Sequence, residues 1–307
     1  MKVIKPSAFD PATTVISTTA PEPTPDWVSG TTYAKDAEVL HPFTVQGITV
    51  KYHWLSLVST NTAEPGTDDT KWLRGDVCNK CAMFDTQVST ASESTTSLVV
   101  TINAPYANSV AFIGLIGSSL TVELTDGGAS PPEYTQTISL DGSLVFDWYT
   151  YFFSPFVQLG EVVLTDLPPY ANAEITMTLT TGSGNPVAVG EMLWGTVYEL
   201  GEEGMEQGAS VGIIDYSRKD TDNDTGKTTF TRRAFSKRMS GQFLLDNGQL
   251  NAVQRILADI RAVPSVFIGS EAADYSPLIV YGFYRDFSID IAYPTKSFCR
   301  IEVEGLT

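Results

Sequence analysis

Residues 97–124 read SLVVTINAPYANSVAFIGLIGSSLTVEL and contain three short runs rich in Val, Ile and Leu, separated by turn residues. Runs of this length and composition are typical of β-strands. The pattern continues to residue 179, and we predict six strands at 97–102, 109–115, 119–124, 134–140, 161–164 and 174–179. Strands at this spacing favour an acidic β-sandwich over residues 83–195.

Residues 196–307 have a different pattern and predict an α+β unit with one helix. Apolar residues recur at helical spacing from Leu250 to Ile260, Asp246 or Asn247 can cap the first turn, and Pro264 stops the helix. We predict a long hairpin from 211–216 and 228–239 around a loop at 219–227. Three more strands follow at 278–283, 286–291 and 297–303, with their inward positions at Phe287, Ile289, Ile291, Cys299, Ile301 and Val303.

The N-terminal quarter divides into two segments. Residues 1–26 hold five prolines with little periodicity, which predicts an extended arm. Residues 27–82 predict a small aromatic β module with a thin core. The predicted fold class is therefore mainly β and multi-domain.

Charge is distributed unevenly along the chain. Residues 81–200 contain twelve Asp or Glu and no Lys or Arg, and the whole protein carries a formal charge of −17. Such an acidic surface argues against nucleic acid as a partner. The longest apolar run, near residues 146–156, is too short to span a bilayer, and we expect neither membrane insertion nor a cleaved signal sequence.

The aromatic module resembles the small chitin- and cellulose-binding modules of bacterial chitinases. The resemblance lies in WVSGTTYAKDAEV at 27–39, YHWLSLVSTNTAEPG at 52–66 and KWL at 71–73. In that family exposed aromatic rings stack on sugar rings, which implies a glycan platform formed by Trp27, Tyr33, Trp54 and Trp72. The same residues suit a structural role in a core or an interface, so both interpretations stay open.

We expect no resident cofactor, but two side-chain sets are candidates for a metal ion. Cys78 and Cys81 form a C-x-x-C, which His41 and His53 could complete as a zinc site. The cysteines otherwise stay unpaired or structural.

Asp220, Asp222 and Asp224 alternate in the manner of a calcium loop. The glycine and the closing glutamate of an EF-hand are out of place here. The alternative interpretation is a polar hairpin tip.

Arg232, Arg233, Lys237 and Arg238 form a basic patch on one predicted strand of an acidic protein. Such a patch suits an acidic neighbour, including the cation-free middle segment of another copy, and predicts a subunit contact. A solvated strand face is the alternative.

Catalytic signatures are missing from the sequence. It contains no H-E-x-x-H, no G-x-S-x-G and no P-loop, and both of its histidines lie in the aromatic module. We therefore expect no enzymatic activity, although a pair of carboxylates placed in space could still form a glycosidase site.

The C-terminal unit resembles the C-terminal part of tail structural proteins of long-tailed bacteriophages and prophages. The resemblance lies in GTVYELG at 195–201, GASVGIIDYSRK at 208–219, LDNGQLNAVQRILADIRAVPSVFIGS at 245–270 and LIVYGFYRDFSIDIAYPTKSFCRIEVEGL at 278–306. The middle segment, with TTSLVVTINAPYANSVAFIGL at 95–115, is similar to the galactose-binding-like β-sandwiches that such proteins carry.

This resemblance implies a virion protein of the tail tip or baseplate that is assembled in the host cytoplasm. It implies a symmetric ring of copies that contacts the tail tube, the hub and the fibres, with weak binding to a host surface glycan as an added role. Two other functions stay open: a lectin-like receptor-binding adhesin, and a cell-wall glycosidase with an appended sugar-binding module.

Overall fold

The computed structural model describes residues 1–307 except 46, 144–146, 154–156, 183–184, 202–203, 222–223, 271–276 and 292. The protein is mainly β, with 50% of its residues in strands and 8% in helices, which confirms the predicted fold class. Its elements in chain order are β1 (Lys2–Pro6), β2 (Val15–Thr18), β3 (Glu38–Val45), β4 (Ile48–Ser56), β5 (Trp72–Val77), β6 (Ser92–Ser94), β7 (Ser97–Asn103), β8 (Ser109–Ile113), β9 (Ser119–Asp126), β10 (Tyr134–Ser139), α1 (Trp148–Phe153), β11 (Glu161–Leu164), β12 (Ala173–Thr180), β13 (Val187–Val189), β14 (Glu191–Glu199), β15 (Ser210–Asp215), β16 (Arg218–Thr221), β17 (Thr228–Thr231), β18 (Phe235–Asp246), α2 (Leu250–Asp259), β19 (Ser265–Ile268), β20 (Ile279–Asp290) and β21 (Lys296–Gly305).

The chain divides into two compact units. The terminal unit comprises Met1–Pro6 and Trp194–Thr307, and the middle unit comprises Ser7–Leu193. The structure therefore groups the predicted segments differently, because the aromatic module and the acidic strands fall in one unit.

An antiparallel sheet and one helix form the terminal unit. Its strands follow the order β14-β1-β19-β20-β21-β18-β15, so β15 lies at an edge. Helix α2 buries Val253, Leu257 and Ile260 in a core that includes Phe243 and Phe267. The apolar spacing thus predicted the position of the helix correctly.

The cap predicted for this helix is wrong. A short 3-10 turn, Asn247–Gln249, precedes α2, and neither Asp246 nor Gln249 makes a side-chain cap bond. The Asn247 Nδ2 group instead donates to the carbonyls of Tyr293 and Pro294, at 2.9 Å each. Asn247 anchors a neighbouring loop, which a local capping rule does not consider.

The C-terminal strands differ from the prediction in two places. The predicted break near residue 285 is a register shift between Tyr284 and Asp286 inside the continuous strand β20. Phe287 and Ile289 pack against the core, whereas Ile291 is 72% exposed because β20 has already ended. The predicted inward positions of β21 at Cys299, Ile301 and Val303 are buried.

Two stretches of the predicted N-terminal arm are β-strands. Strand β1 pairs with β14 and β19 on its two sides, and its residues Val3 and Ile4 are fully buried. Strand β2 pairs with β7 in the middle unit. The prolines made the segment look irregular, but Lys2–Pro6 is too short to show periodicity and depends on partners that are distant in sequence.

The middle unit contains all six of the predicted sandwich strands. Its five-stranded sheet has the order β10-β9-β12-β7-β2, and burial alternates along β7, β9 and β12. A sheet with one buried face needs a second apolar layer. Strand β8, which pairs with β11, is buried along its whole length.

A three-stranded antiparallel sheet, β3-β4-β5, forms the aromatic part of the middle unit. Two small clusters stabilise it. One has Val39, Trp54 and Trp72 at its centre, and the other has Leu40, Val77 and Cys78.

Candidate binding and assembly sites

The two central tryptophans of the predicted glycan platform are core residues. Trp54 is 2% exposed and Trp72 is 1% exposed. Their indole N–H groups donate to the carbonyls of His41, at 3.3 Å, and Ala63, at 2.8 Å. A ring that is buried and bonded in this way has no face for a sugar, so the predicted role of these two residues is wrong.

The other two platform residues pack around this core. The Tyr33 ring meets Trp72 edge-on at 5.7 Å, and its hydroxyl accepts the Val28 N–H at 2.7 Å. The Trp27 ring meets His41 edge-on at 5.2 Å. Trp27 and Tyr33 are both half-buried, and their edge-to-face contacts indicate a structural role.

The predicted zinc ligands do not converge. His41 Nε2 lies 3.3 Å from Glu64, and His53 Nδ1 lies 2.9 Å from Glu38. No group of three metal-binding side chains occurs within the described parts of the chain. Both histidines instead lie beside carboxylates, His41 beside Glu64 and His53 beside Glu38.

The two cysteines of the C-x-x-C interact with each other as thiols. The Cys81 S–H donates to Cys78, which lowers the pKa of Cys78 and raises the pKa of Cys81. Burial adds to the raised pKa of Cys81. Both cysteines are free in the structure.

Of the three predicted calcium ligands, Asp220 and Asp224 lie among the described residues, and these include no group of three metal-binding side chains. Asp220 Oδ2 pairs with Arg218 at 3.2 Å on the exposed strand β16. Asp222 lies outside the described residues, and Asp224 follows in a turn. The described part of this loop fits the polar hairpin tip.

Residues 210–238 are here called the hairpin arm, and most of their described residues are exposed. Strand β15 lies at the edge of its sheet, and β16 and β17 pair with each other while remaining exposed at all eight residues. Large apolar side chains are exposed along the arm. They are Val211 (46%), Ile213 (66%), Tyr216 (44%), Phe230 (74%) and Phe235 (51%).

The four predicted contact residues all lie in the hairpin arm but differ in exposure. Arg232 and Arg233 are exposed in the segment between β17 and β18. Lys237 is half-buried, and Arg238 lies opposite Glu304 of β21 in the strand register. Arg232 and Arg233 are thus an exposed pair of sequence neighbours, and Arg238 is exposed as well.

Sequence reasoning missed an acidic cleft in the middle unit. The cleft has a volume of about 650 Å³ and is lined by four carboxylates, those of Glu22, Glu38, Asp76 and Glu93, together with His53. The four carboxylates come from four separate stretches of the chain, and His53 comes from a fifth. The one local signal was Glu22, a charged residue between two prolines inside the predicted arm.

Asn79, the second residue of the C-x-x-C, organises this cleft. Its backbone N–H donates to Glu22 Oε2 at 2.9 Å, and its Nδ2 group donates to the carbonyls of Pro21 and Glu93 at 2.7 and 2.9 Å. Its Oδ1 accepts the Glu93 N–H at 2.7 Å. One side chain thus holds two distant segments together at the cleft.

A second unpredicted feature is a patch of exposed aromatic rings on helix α1. Trp148, Tyr149, Phe152 and Phe153 are between 67% and 79% exposed. Trp148 stacks on Phe152 at 6.4 Å, and Tyr149 lies 4.9 Å from Phe153 at a tilt. Rings spaced by four residues share a helix face, which explains these pairs.

Within the described residues, no helix combines the length and the apolar character needed to cross a membrane. Comparisons with protein-family models, curated proteins and solved structures found no match to this chain.

Proposed function

We propose that this protein is a structural component of a bacteriophage tail tip or baseplate, and that it acts by assembly rather than by catalysis. In this proposal its copies form a symmetric ring that contacts the tail tube, the hub and the fibres. The observation that carries the proposal is the hairpin arm, an exposed edge of the terminal unit with both apolar and basic side chains. The arm lies within the segment that resembles tail proteins.

Strand β15 forms an edge of the sheet in the terminal unit. An edge strand presents unpaired backbone groups, and natural proteins usually protect such an edge. Here β15 instead exposes Val211 and Ile213. A contact between this edge and a different surface of the next copy is heterologous, and such contacts close into a ring when the rotation permits.

Gold-labelled antibody against the protein, viewed on intact phage particles by electron microscopy, tests the location. We expect label at the distal end of the tail. Label that is absent from particles, with the protein found free, would overturn the proposal.

Charge reversal tests the arm. We expect Arg232→Glu with Arg233→Glu to reduce the yield of complete tails, because the exposed pair would then repel an acidic neighbour. The charge-matched control is Arg255→Glu with Arg261→Glu, which changes two exposed arginines outside the arm, one on α2 and one just after it. Equal tail yields from both double variants would contradict a role for the arm.

A second function, binding of a host surface glycan, is favoured by the exposed rings of α1. Aromatic faces pack on the apolar faces of sugar rings, and these rings are accessible whereas Trp54 and Trp72 are not. We expect Trp148→Ala with Phe152→Ala to reduce adsorption of otherwise intact particles to host cells. Tyr293→Ala, which removes another exposed ring (58%), is the control. Unchanged adsorption would remove this second role.

A further inference from the structure

We propose that the acidic cleft is a guanidinium-binding site, and that its occupant is Arg232 or Arg233 from the hairpin arm of a second copy. This inference rests on the proposed assembly function, since it requires copies to meet. It identifies the surface that the arm contacts on the second copy. Neither the distribution of charge along the chain nor the arm itself identifies that surface.

Glu22 lines the cleft and has a buried carboxylate oxygen without a hydrogen-bond donor among the described residues. Its side chain is only 10% exposed, and its Oε2 accepts the Asn79 N–H. Its Oε1 is buried with no hydrogen-bond donor among the described residues. His53 Nε2 lies 3.9 Å from this oxygen, which is beyond hydrogen-bond distance. A buried carboxylate oxygen of this kind is destabilising unless a donor reaches it.

The cleft that Glu22 lines is acidic. Glu38, Asp76 and Glu93 line the same cleft, and its described lining contains no Lys or Arg. His53 Nδ1 lies 2.9 Å from Glu38 but is not aligned for a hydrogen bond. The cleft therefore presents several hydrogen-bond acceptors but few donors to pair with them.

The shape and lining of the cleft suit an arginine side chain. A guanidinium carries five N–H donors in a planar fork, which lets one group bond two carboxylates at once. The aliphatic stem of arginine packs on apolar surface, and Pro21, Pro23 and Val77 supply such surface beside the carboxylates. A single metal ion would use neither the apolar lining nor the width of the cleft.

The source of the guanidinium follows from charge complementarity. Residues 215–238 contain seven Lys or Arg and four Asp or Glu, in a protein whose overall charge is −17. Arg232 and Arg233 are adjacent exposed arginines of this arm, whereas Arg218 pairs with Asp220. The cleft lies in the middle unit and the arm in the terminal unit, so each copy carries both halves of a head-to-tail contact.

The test measures self-association of the full-length protein by sedimentation velocity. Glu22→Gln keeps the acceptor for Asn79 and should fold normally, yet it removes the buried charge. We expect it to weaken association by at least about tenfold. Glu64→Gln is the control, because it neutralises a glutamate that lies beside His41 and does not line the cleft.

A charge swap makes the test specific for the pair of surfaces. Glu38→Arg with Glu93→Arg should weaken association, as should Arg232→Glu with Arg233→Glu. We expect the combination of all four changes in one chain to recover much of the wild-type association. Failure of the combination to recover any association would overturn the pairing of cleft and arm.

The outcomes separate this inference from the proposed function. Gold label at the tail tip together with wild-type association of Glu22→Gln would overturn the cleft site and leave the tail assignment standing. Association that depends on Glu22, with no label on tails, would support the site and overturn the tail assignment.

Discussion

Asn79 shows at the residue scale what a sequence pattern can hide. The spacing of Cys78 and Cys81 draws attention to the cysteines, because their chemistry is well known, yet the residue between them makes the long-range contacts. Its partners Pro21 and Glu93 are 58 and 14 residues away. An asparagine reveals such a role only when the fold supplies those partners.

The buried thiol of Cys299 gives a testable dependence of stability on pH. Burial raises its pKa from 9.0 to about 11, because the thiolate is poorly solvated there. The unfolded chain then loses this proton first, so the native state binds more protons between those two values. The free energy of unfolding should therefore fall as pH rises through this window, with about 2 kcal/mol due to Cys299.

Urea denaturation of the wild type and of Cys299→Val at pH values across this window checks the prediction. The valine variant keeps an apolar side chain in the core but cannot titrate, so its decline should be shallower. Parallel curves for the two proteins would contradict the assigned cause.

At the element scale, local periodicity predicted the strands that bury one face and leave the other partly exposed. Strands β7, β9 and β12 alternate between buried and partly buried residues, and all three were predicted. Strand β1 was missed because its five residues form a strand by pairing with β14 and β19. Both of these strands are distant in sequence, almost 200 residues or more along the chain. Helix α2 was predicted by its apolar stripe, whereas its N-terminal turn depends on a loop contact that the stripe does not encode.

The edge strand β15 supports a prediction about assembly. Ile213 is 66% exposed on this strand, so Ile213→Lys should change the free energy of unfolding by no more than about 0.5 kcal/mol. A lysine on an edge strand discourages pairing with another chain. We therefore expect weaker self-association in sedimentation velocity with an unchanged urea midpoint.

The matched control for this variant is Ile16→Lys. Ile16 is 51% exposed on β2, which also ends a sheet, but in the middle unit. Equal losses of association in the two variants would mean that added charge, rather than the β15 edge, causes the effect.

At the scale of the whole molecule, composition predicted the β-rich class but not the grouping of its parts. The aromatic module looked separate because its composition changes near residue 82, yet the hydrogen bond from Asn79 to Glu93 crosses that boundary. The acidic cleft could not be predicted, since its four carboxylates come from four separate stretches of the chain. The exposed pair Arg232 and Arg233 could be predicted, because adjacent arginines stand out in a chain with few cations.

The uneven charge also predicts how salt affects assembly, through two opposing effects. Copies that each carry −17 repel one another over long distances, and salt above about 0.15 M screens interactions beyond roughly 8 Å. An arginine seated in the acidic cleft acts over a much shorter distance and is weakened mainly at higher salt. Association of the wild type should therefore be strongest near physiological ionic strength and decline on both sides.

Sedimentation velocity from about 0.02 to 1 M NaCl checks this dependence. In Arg232→Ser with Arg233→Ser the short-range attraction is lost while the long-range repulsion remains, so the decline at high salt should disappear. If the apolar edge at Ile213 were the dominant contact instead, salt would strengthen association throughout. A wild-type curve that rises steadily with salt would therefore assign assembly to the edge strand and remove the cleft from it.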